Sequence, residues 1–149
     1  MFHSKSMKKV LSITLTVILC AFTFVVAPTT QKAQAATNEI SVYSTNSYLW
    51  TQAAGQNGYA VTIDIKVKNI AYDKNVTLHG KNANDGNWYD TEATYVKSLD
   101  DGYELWRVQT TSWWKSYEFC LKYQVNDQTY WDNNDGQNYI LNCEDNTLS

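Results

Sequence analysis

The ten residues YWDNNDGQNY, Tyr130 to Tyr139, hold the densest set of side chains able to do chemistry in this chain of 149 residues. Seven acidic, amide or glycine residues lie between Trp131 and Tyr139. A side-chain amide both donates and accepts hydrogen bonds, as every sugar hydroxyl does. An aspartate takes hydroxyl donors in charge-assisted bonds. A flat indole or phenol covers the apolar C–H face of a sugar ring and loses little entropy in doing so. Trp131, Asp132, Asn133, Asn134, Asn138 and Tyr139 therefore supply both halves of carbohydrate recognition. The same residues would also make an Asx-rich turn whose amides cap their own backbone. The two readings are compatible, and the sequence leaves both open.

Catalytic sets are sparse. His79 stands in an alternating run with no serine or cysteine motif around it, so it reads as a structural strand residue rather than half of a nucleophile–base pair. Among fifteen acids no pair occupies surroundings that would raise one carboxyl, as glycoside hydrolysis requires. Asp132 to Asn138 superficially resembles a calcium loop, but its glycine falls at the fifth place instead of the sixth. Asn75-Val76-Thr77 is an N-glycosylation sequon, relevant only where the producing cell modifies such sites. Neither metal nor cofactor is expected.

The segment preceding these residues has the order of a secretory signal peptide. Lys5, Lys8 and Lys9 lead into an apolar stretch from Val10 to Val26, followed by Ala-Gln-Ala at positions 33–35. An uncleaved membrane anchor is the competing reading of that stretch; the small-residue site favours cleavage after Ala35. Cys20 lacks the small residues that precede a lipoprotein cysteine. The expected organisation is a signal peptide over 1–35 and one secreted, extracellular domain over 36–149. That domain carries eight of the twelve basic residues and all fifteen acids, so its charge is 8 − 15 = −7. Nucleic acid and anionic membranes require compensating basic charge, so neither is an expected partner.

All six tryptophans and all eleven tyrosines lie after residue 35. Buried Trp and Tyr need partners for N–H and O–H, and a core this small cannot hide seventeen of them. Several must be on the surface. Cys120 and Cys143, an even pair in a secreted chain, read as a disulfide worth roughly 3 kcal/mol by loop entropy, with two free thiols as the alternative.

The elements that would position these groups are short strands. In VTIDIKVKN, Val61, Ile63, Ile65 and Val67 face one way and polar residues the other, the period of a half-buried strand. YEFCLKYQV puts Tyr117, Phe119, Leu121, Tyr123 and Val125 on one face and Cys120 outward with Glu118 and Lys122. EISVYS, NVTLHG, Tyr89 to Val96, YELWRVQT and QNYILN are further candidates. If Trp106 of YELWRVQT is in the core, Tyr103 points outward. The expected fold is all-β, an antiparallel immunoglobulin-like sandwich of about eight short strands, without a second domain or internal repeat.

VKNIAYDKNVTL at Val67 to Leu78, Asn87-Trp88, YEFCLKYQV and YWDNNDGQNY together resemble family 21 carbohydrate-binding modules, among them the starch-binding domains of fungal glucoamylases and the glycogen-targeting regions of phosphatase regulatory subunits. The resemblance runs from Val61 to Leu141 and implies the same sandwich, with no catalysis. It also implies two sugar sites. Trp88 and Trp131, with Asn133 and Asn138, match the first; the third aromatic of that site falls on Cys120, which cannot stack on glucose. Tyr72, Tyr95 and Tyr103 match the second. Trp113-Trp114 lies outside both; packing is expected of one ring, with the other open to sugar. The expected ligands are starch, glycogen and maltooligosaccharides, bound by a monomer. The alternatives are a small secreted polysaccharide-active enzyme, a single-strand nucleic-acid binder, which the acidic charge disfavours, and a module recognising another secreted protein through its aromatic surface.

Overall fold

The computed structural model describes residues 38–53 and 55–149. The signal peptide expected over 1–35 and its expected cleavage site lie outside the described residues. Among the described residues there are nine strands: β1 (Ile40–Thr51), β2 (Asn57–Lys68), β3 (Lys74–Lys81), β4 (Trp88–Glu92), β5 (Thr94–Ser98), β6 (Tyr103–Ser112), β7 (Ser116–Val125), β8 (Gln128–Asp132) and β9 (Tyr139–Asn142). They form two antiparallel sheets. One has four strands in the order β1-β2-β6-β5; the other runs β4-β3-β7-β8, with β9 paired to the remaining length of β7. The expected antiparallel sandwich is therefore observed, with one strand more than the sequence suggested.

Strand alternation explains the core. Val61, Ile63, Ile65 and Val67 of β2 face Val76 and Leu78 of β3 and Phe119, Leu121, Tyr123 and Val125 of β7, all essentially inaccessible to solvent. Only residues of one parity enter this layer, which is what a half-buried strand dictates. Tyr123 is admitted because its hydroxyl donates to the Lys68 carbonyl at 2.8 Å. Asn126 and Asp127, with φ of 48° and 59°, make the two-residue hairpin between β7 and β8.

Two elements depart from the sequence reading. The run Tyr89–Val96 is two strands in different sheets: β4 pairs with β3, and β5 pairs with β6. The chain changes sheets at Ala93, whose N–H donates to the Val76 carbonyl at 2.8 Å. Such corner-turning segments keep their alternation, so pattern alone does not reveal them. The polar loop is also shorter than its composition implied, because Tyr130, Trp131 and Asp132 belong to β8, hydrogen-bonded along β7.

The expected disulfide is corrected. Cys120 and Cys143 are free and both buried. The Cys143 N–H donates to the carbonyl of Lys115, the residue just before β7 and 120 − 115 = 5 positions from Cys120. Five residues of strand span roughly 17 Å, whereas a disulfide requires Cα atoms within about 7 Å. The two side chains also lie on opposite faces: Cys143 joins the core cluster, while Cys120 shares the outer face with His79, its partner across the ladder. Cys120 faces outward as the strand period predicts, but the pairing expected from an even cysteine count is absent.

Candidate functional site

The outer face of the five-stranded sheet carries a set of rings. The register pairs Lys81 with Trp88, His79 with Asp90, His79 with Cys120, and Lys122 with Trp131, so all these side chains rise from one surface. His79 stacks on Trp88 with centroids 5.0 Å apart and planes 13° from parallel. It meets Trp131 edge-on at 5.7 Å and 79°. The imidazole thus backs one indole and props the other, above the small thiol of Cys120. The structure brings Trp88 and Trp131 together, and the sequence reading missed the ring that joins them. By sequence His79 reads as a structural strand residue; the signal for its outward position is its alternation with Thr77 and Lys81 opposite an outward Cys120.

Charged groups fix this surface. Asp90 Oδ1 lies 2.6 Å from His79 Nδ1, and its other oxygen accepts from Lys122 Nζ. Burial pushes the Asp90 carboxyl up, but the hydrogen bonds from Lys122 and His79 outweigh it and hold the group below its ordinary value. Lys122 Nζ also sits 5.7 Å from the Trp131 ring centre, and Lys81 Nζ 5.9 Å from that of Trp88. Lys81 donates to Glu118 at 2.8 Å and holds its carboxyl low. Burial, with Asp90, Asp132 and Glu118 nearby, pushes the Cys120 thiol up to about 11. A thiol held protonated in this way is a poor nucleophile.

The polar loop serves itself and leaves atoms over. Asn133 Oδ1 accepts from the Gly136 N–H at 3.0 Å, and the Asn133 carbonyl accepts from the Asn138 N–H at 2.8 Å. Asn134 Nδ2 donates to the Asn138 carbonyl at 3.0 Å. Asn134, Asp135 and Asn138 take φ of 51°, 55° and 60°, a left-handed region that Asn and Asp tolerate best among residues with a Cβ. That requirement accounts for their number here. Asn138 Nδ2 then donates to Glu118 at 3.0 Å, tying the loop to the ring platform. Asn133 Nδ2 and Asn138 Oδ1 have no partner among the described residues. Asp132 departs from expectation. It is fully buried and accepts the Tyr139 hydroxyl at 2.9 and 3.0 Å, which staples β8 to β9 and removes it from any ligand. Burial raises its carboxyl despite the Tyr139 bond.

A second concavity, of about 750 Å³, is lined by Ile70, Tyr72, Lys74, Tyr95, Glu104 and Trp106, among others. Tyr72 is 97% exposed and Tyr95 51%. Tyr95 meets Trp106 edge-on at 5.9 Å, and the Trp106 indole N–H donates to Glu104 Oε2 at 2.9 Å. The same oxygen accepts from Lys74 Nζ at 2.9 Å, so a nearly dry ion pair locks the indole in place. The structure brings Tyr72 and Tyr95 together but not Tyr103. Tyr103 lies on the other face of β6, under Lys66 Nζ at 4.1 Å from its ring centre, and donates to the Asn38 carbonyl at 3.2 Å. Trp106, partly buried against the core as well as lining the groove, stands where the third ring was expected. It shares a register row with Tyr95, which becomes visible only once β5 is known to pair with β6.

Two ring surfaces with amides at their margins, on a sandwich of this topology, agree with a family comparison. The family model described as carbohydrate/starch-binding module (family 21) matches residues 41–142. The chain belongs to that family. Protein phosphatase 1 regulatory subunit 3C of Xenopus tropicalis is 35% identical over 91 residues, 58% of this chain and 41% of that protein. Glucoamylase 1 of Rhizopus oryzae is 39% identical over 80 residues, 50% of this chain and 13% of the enzyme. The chain thus spans less than half the length of either relative. Among solved structures, the starch-binding domain of Rhizopus oryzae glucoamylase in complex with beta-cyclodextrin and maltoheptaose superposes with a TM-score of 0.53 at 29% identity, covering 74% of this chain and 98% of that one. The carbohydrate-binding module of the muscle glycogen-targeting subunit of protein phosphatase 1 gives 0.55 at 27%, covering 70% and 76%. The family 21 match extends the resemblance read at Val61–Leu141 to β1. It is a match to binding modules.

Proposed function

We propose that this family 21 module is secreted and holds α-1,4-linked glucan, without catalysis, at two sites: Trp88, His79 and Trp131 with Asn133 and Asn138, and Tyr72, Tyr95 and Trp106. The observation that carries the reading is the three-ring platform, in which His79 supplies the aromatic surface that Cys120 cannot. A glucose ring lies flat on an indole, and the free amide atoms of Asn133 and Asn138 address its hydroxyl rim. Support comes from the likeness to a starch-binding domain solved with maltoheptaose and beta-cyclodextrin. Two shallow sites on one body raise avidity for a polymer beyond that of either site. Secretion rests on the basic, apolar and small-residue order of positions 1–35.

The test is retention by granular starch, with cellulose and chitin in parallel. The protein is expected to be held by starch alone, released by maltoheptaose, and to generate no new reducing ends. Equal retention on all three polymers, or release of reducing sugar, would overturn the reading.

A further inference from the structure

Outside both sites, a cleft of about 280 Å³ opens at the end of the sandwich between the β3–β4 hairpin and the β6–β7 turn. Its walls include Asn82, Asn84, Tyr89, Thr110, Trp113 and Trp114. Trp113, Trp114 and Tyr89 are 44%, 50% and 51% exposed, so three large rings border one opening.

The two tryptophans have different duties. Trp113 packs on Trp50 with centroids 5.2 Å apart, and both rings lie against Gly58, where an added Cβ would meet each at 3.2 Å. Trp113 thereby clamps the four-stranded sheet at the β1–β2 hairpin. Trp114 has no ring partner among the described residues, yet its backbone is pinned. Its N–H donates to Ser112 Oγ at 3.1 Å, and that hydroxyl donates to the Trp114 carbonyl at 2.9 Å. Ser112 is itself buried. An indole presented on a fixed backbone loses less entropy on binding than one on a loose loop. Opposite it, Tyr89 is steadied by a hydrogen bond from its hydroxyl to Asp85 at 2.7 Å.

The lining chemistry selects the ligand. Among the described residues, Lys81 is the only charged member of the cleft wall, and the other polar members are amides and hydroxyls. An anionic ligand would find one ammonium, already paired with Glu118. A neutral polyol with an apolar ring face meets indole, phenol, amide and hydroxyl together. Lys81 also stands beside Trp88, with Nζ 5.9 Å from that ring centre, so the cleft adjoins the edge of the first platform.

We propose that this cleft is a third glucan-binding site, with Trp114 and Tyr89 as stacking surfaces and Asn82 and Asn84 as hydroxyl readers. It engages a further stretch of the same polymer. The inference rests on the α-glucan reading of the two platforms.

The experiment is a titration of the whole protein with maltoheptaose, followed through the indole N–H resonances of its six tryptophans. The Trp114 signal is identified by its loss in Trp114→Phe. In the wild type, the Trp114 resonance is expected to shift on titration together with that of Trp131. In the Trp88→Ala/Trp131→Ala/Tyr95→Ala variant, with fold checked by circular dichroism, the Trp114 shift is expected to persist. Trp114→Ala in the wild-type background should weaken retention by soluble starch roughly 3- to 10-fold. A Trp114 resonance that stays still while Trp131 moves overturns the third site and leaves the platform reading intact. If no indole moves, the α-glucan reading itself fails.

Discussion

Replacing Trp131 by alanine tests the platform most sharply, because the ring stands on the outer face of the sheet. Trp131 lies on the outer face of β8, edge-on to His79 at 5.7 Å and beneath Lys122 Nζ at 5.7 Å. Truncation forfeits an aromatic pair of about 0.5–1.5 kcal/mol and an exposed cation–π contact of about 0.5–1 kcal/mol. No core cavity results, since Leu121, Tyr123 and Val125 pack from the other side of the sheet. Total destabilisation of about 1–2.5 kcal/mol should lower Tm by several degrees for a domain of roughly 100 residues. The binding loss should be larger. A flat ring stacked on an aromatic side chain contributes about 1–3 kcal/mol when judged by truncation, hence roughly a 5- to 150-fold rise in Kd. Calorimetric titration with maltoheptaose at 25 °C, far enough below the melt to keep the variant folded, separates the two effects. Trp131→Phe keeps a ring and should retain most of the affinity. A folded Trp131→Ala protein whose Kd lies within about twofold of wild type would refute the placement of sugar on this face.

Gly80→Ala should cost roughly 1–3 kcal/mol, read as a fall in Tm. A Cβ there would meet the Tyr117 hydroxyl at 2.1 Å, and Tyr117 cannot swing away because it stacks on Phe119. Thiol labelling should leave Cys120 and Cys143 unreacted at neutral pH until denaturant is added, and reductant should not change Tm; a reductant-dependent melt would restore the disulfide. Acid should weaken the platform through Glu118. Its carboxyl is held below the ordinary 4.5 by the Lys81 hydrogen bond, so its stabilising contribution is complete above that value and lost as pH falls through the depressed one. Glu118→Gln should lower Tm at neutral pH and reduce its decline as pH falls below the ordinary 4.5; an unchanged acid slope would remove the Lys81–Glu118 pair from the account.

Local pattern reached as far as strand identity and face. Val61, Ile63, Ile65 and Val67 could only be inward, and Glu118, Cys120 and Lys122 outward, because side-chain direction along a strand has period two and the core admits one parity. The polar loop was legible as both a self-capping turn and a sugar-facing edge, and it is built as a turn with amide atoms left over. What β7 and β9 do to each other was not legible. An outward cysteine and a terminal cysteine invite pairing on a line of text, whereas the antiparallel register separates them by five residues and by the thickness of the sheet.

The sequence by itself determined composition, charge, strand period and the types of group available: many rings, many amides and few bases. Those are properties of single residues and near neighbours, and they suffice to point toward a neutral hydroxylated ligand. Tertiary structure decided which rings meet. His79 reaches Trp88 and Trp131 because β3 is sandwiched between β4 and β7 within one sheet. Trp106 replaces Tyr103 in the second groove because the chain changes sheets at Ala93 and lays β5 beside β6. Both results come from ladder register between segments distant in sequence, which is fixed by burying all inner faces at once and has no signature in any one of them.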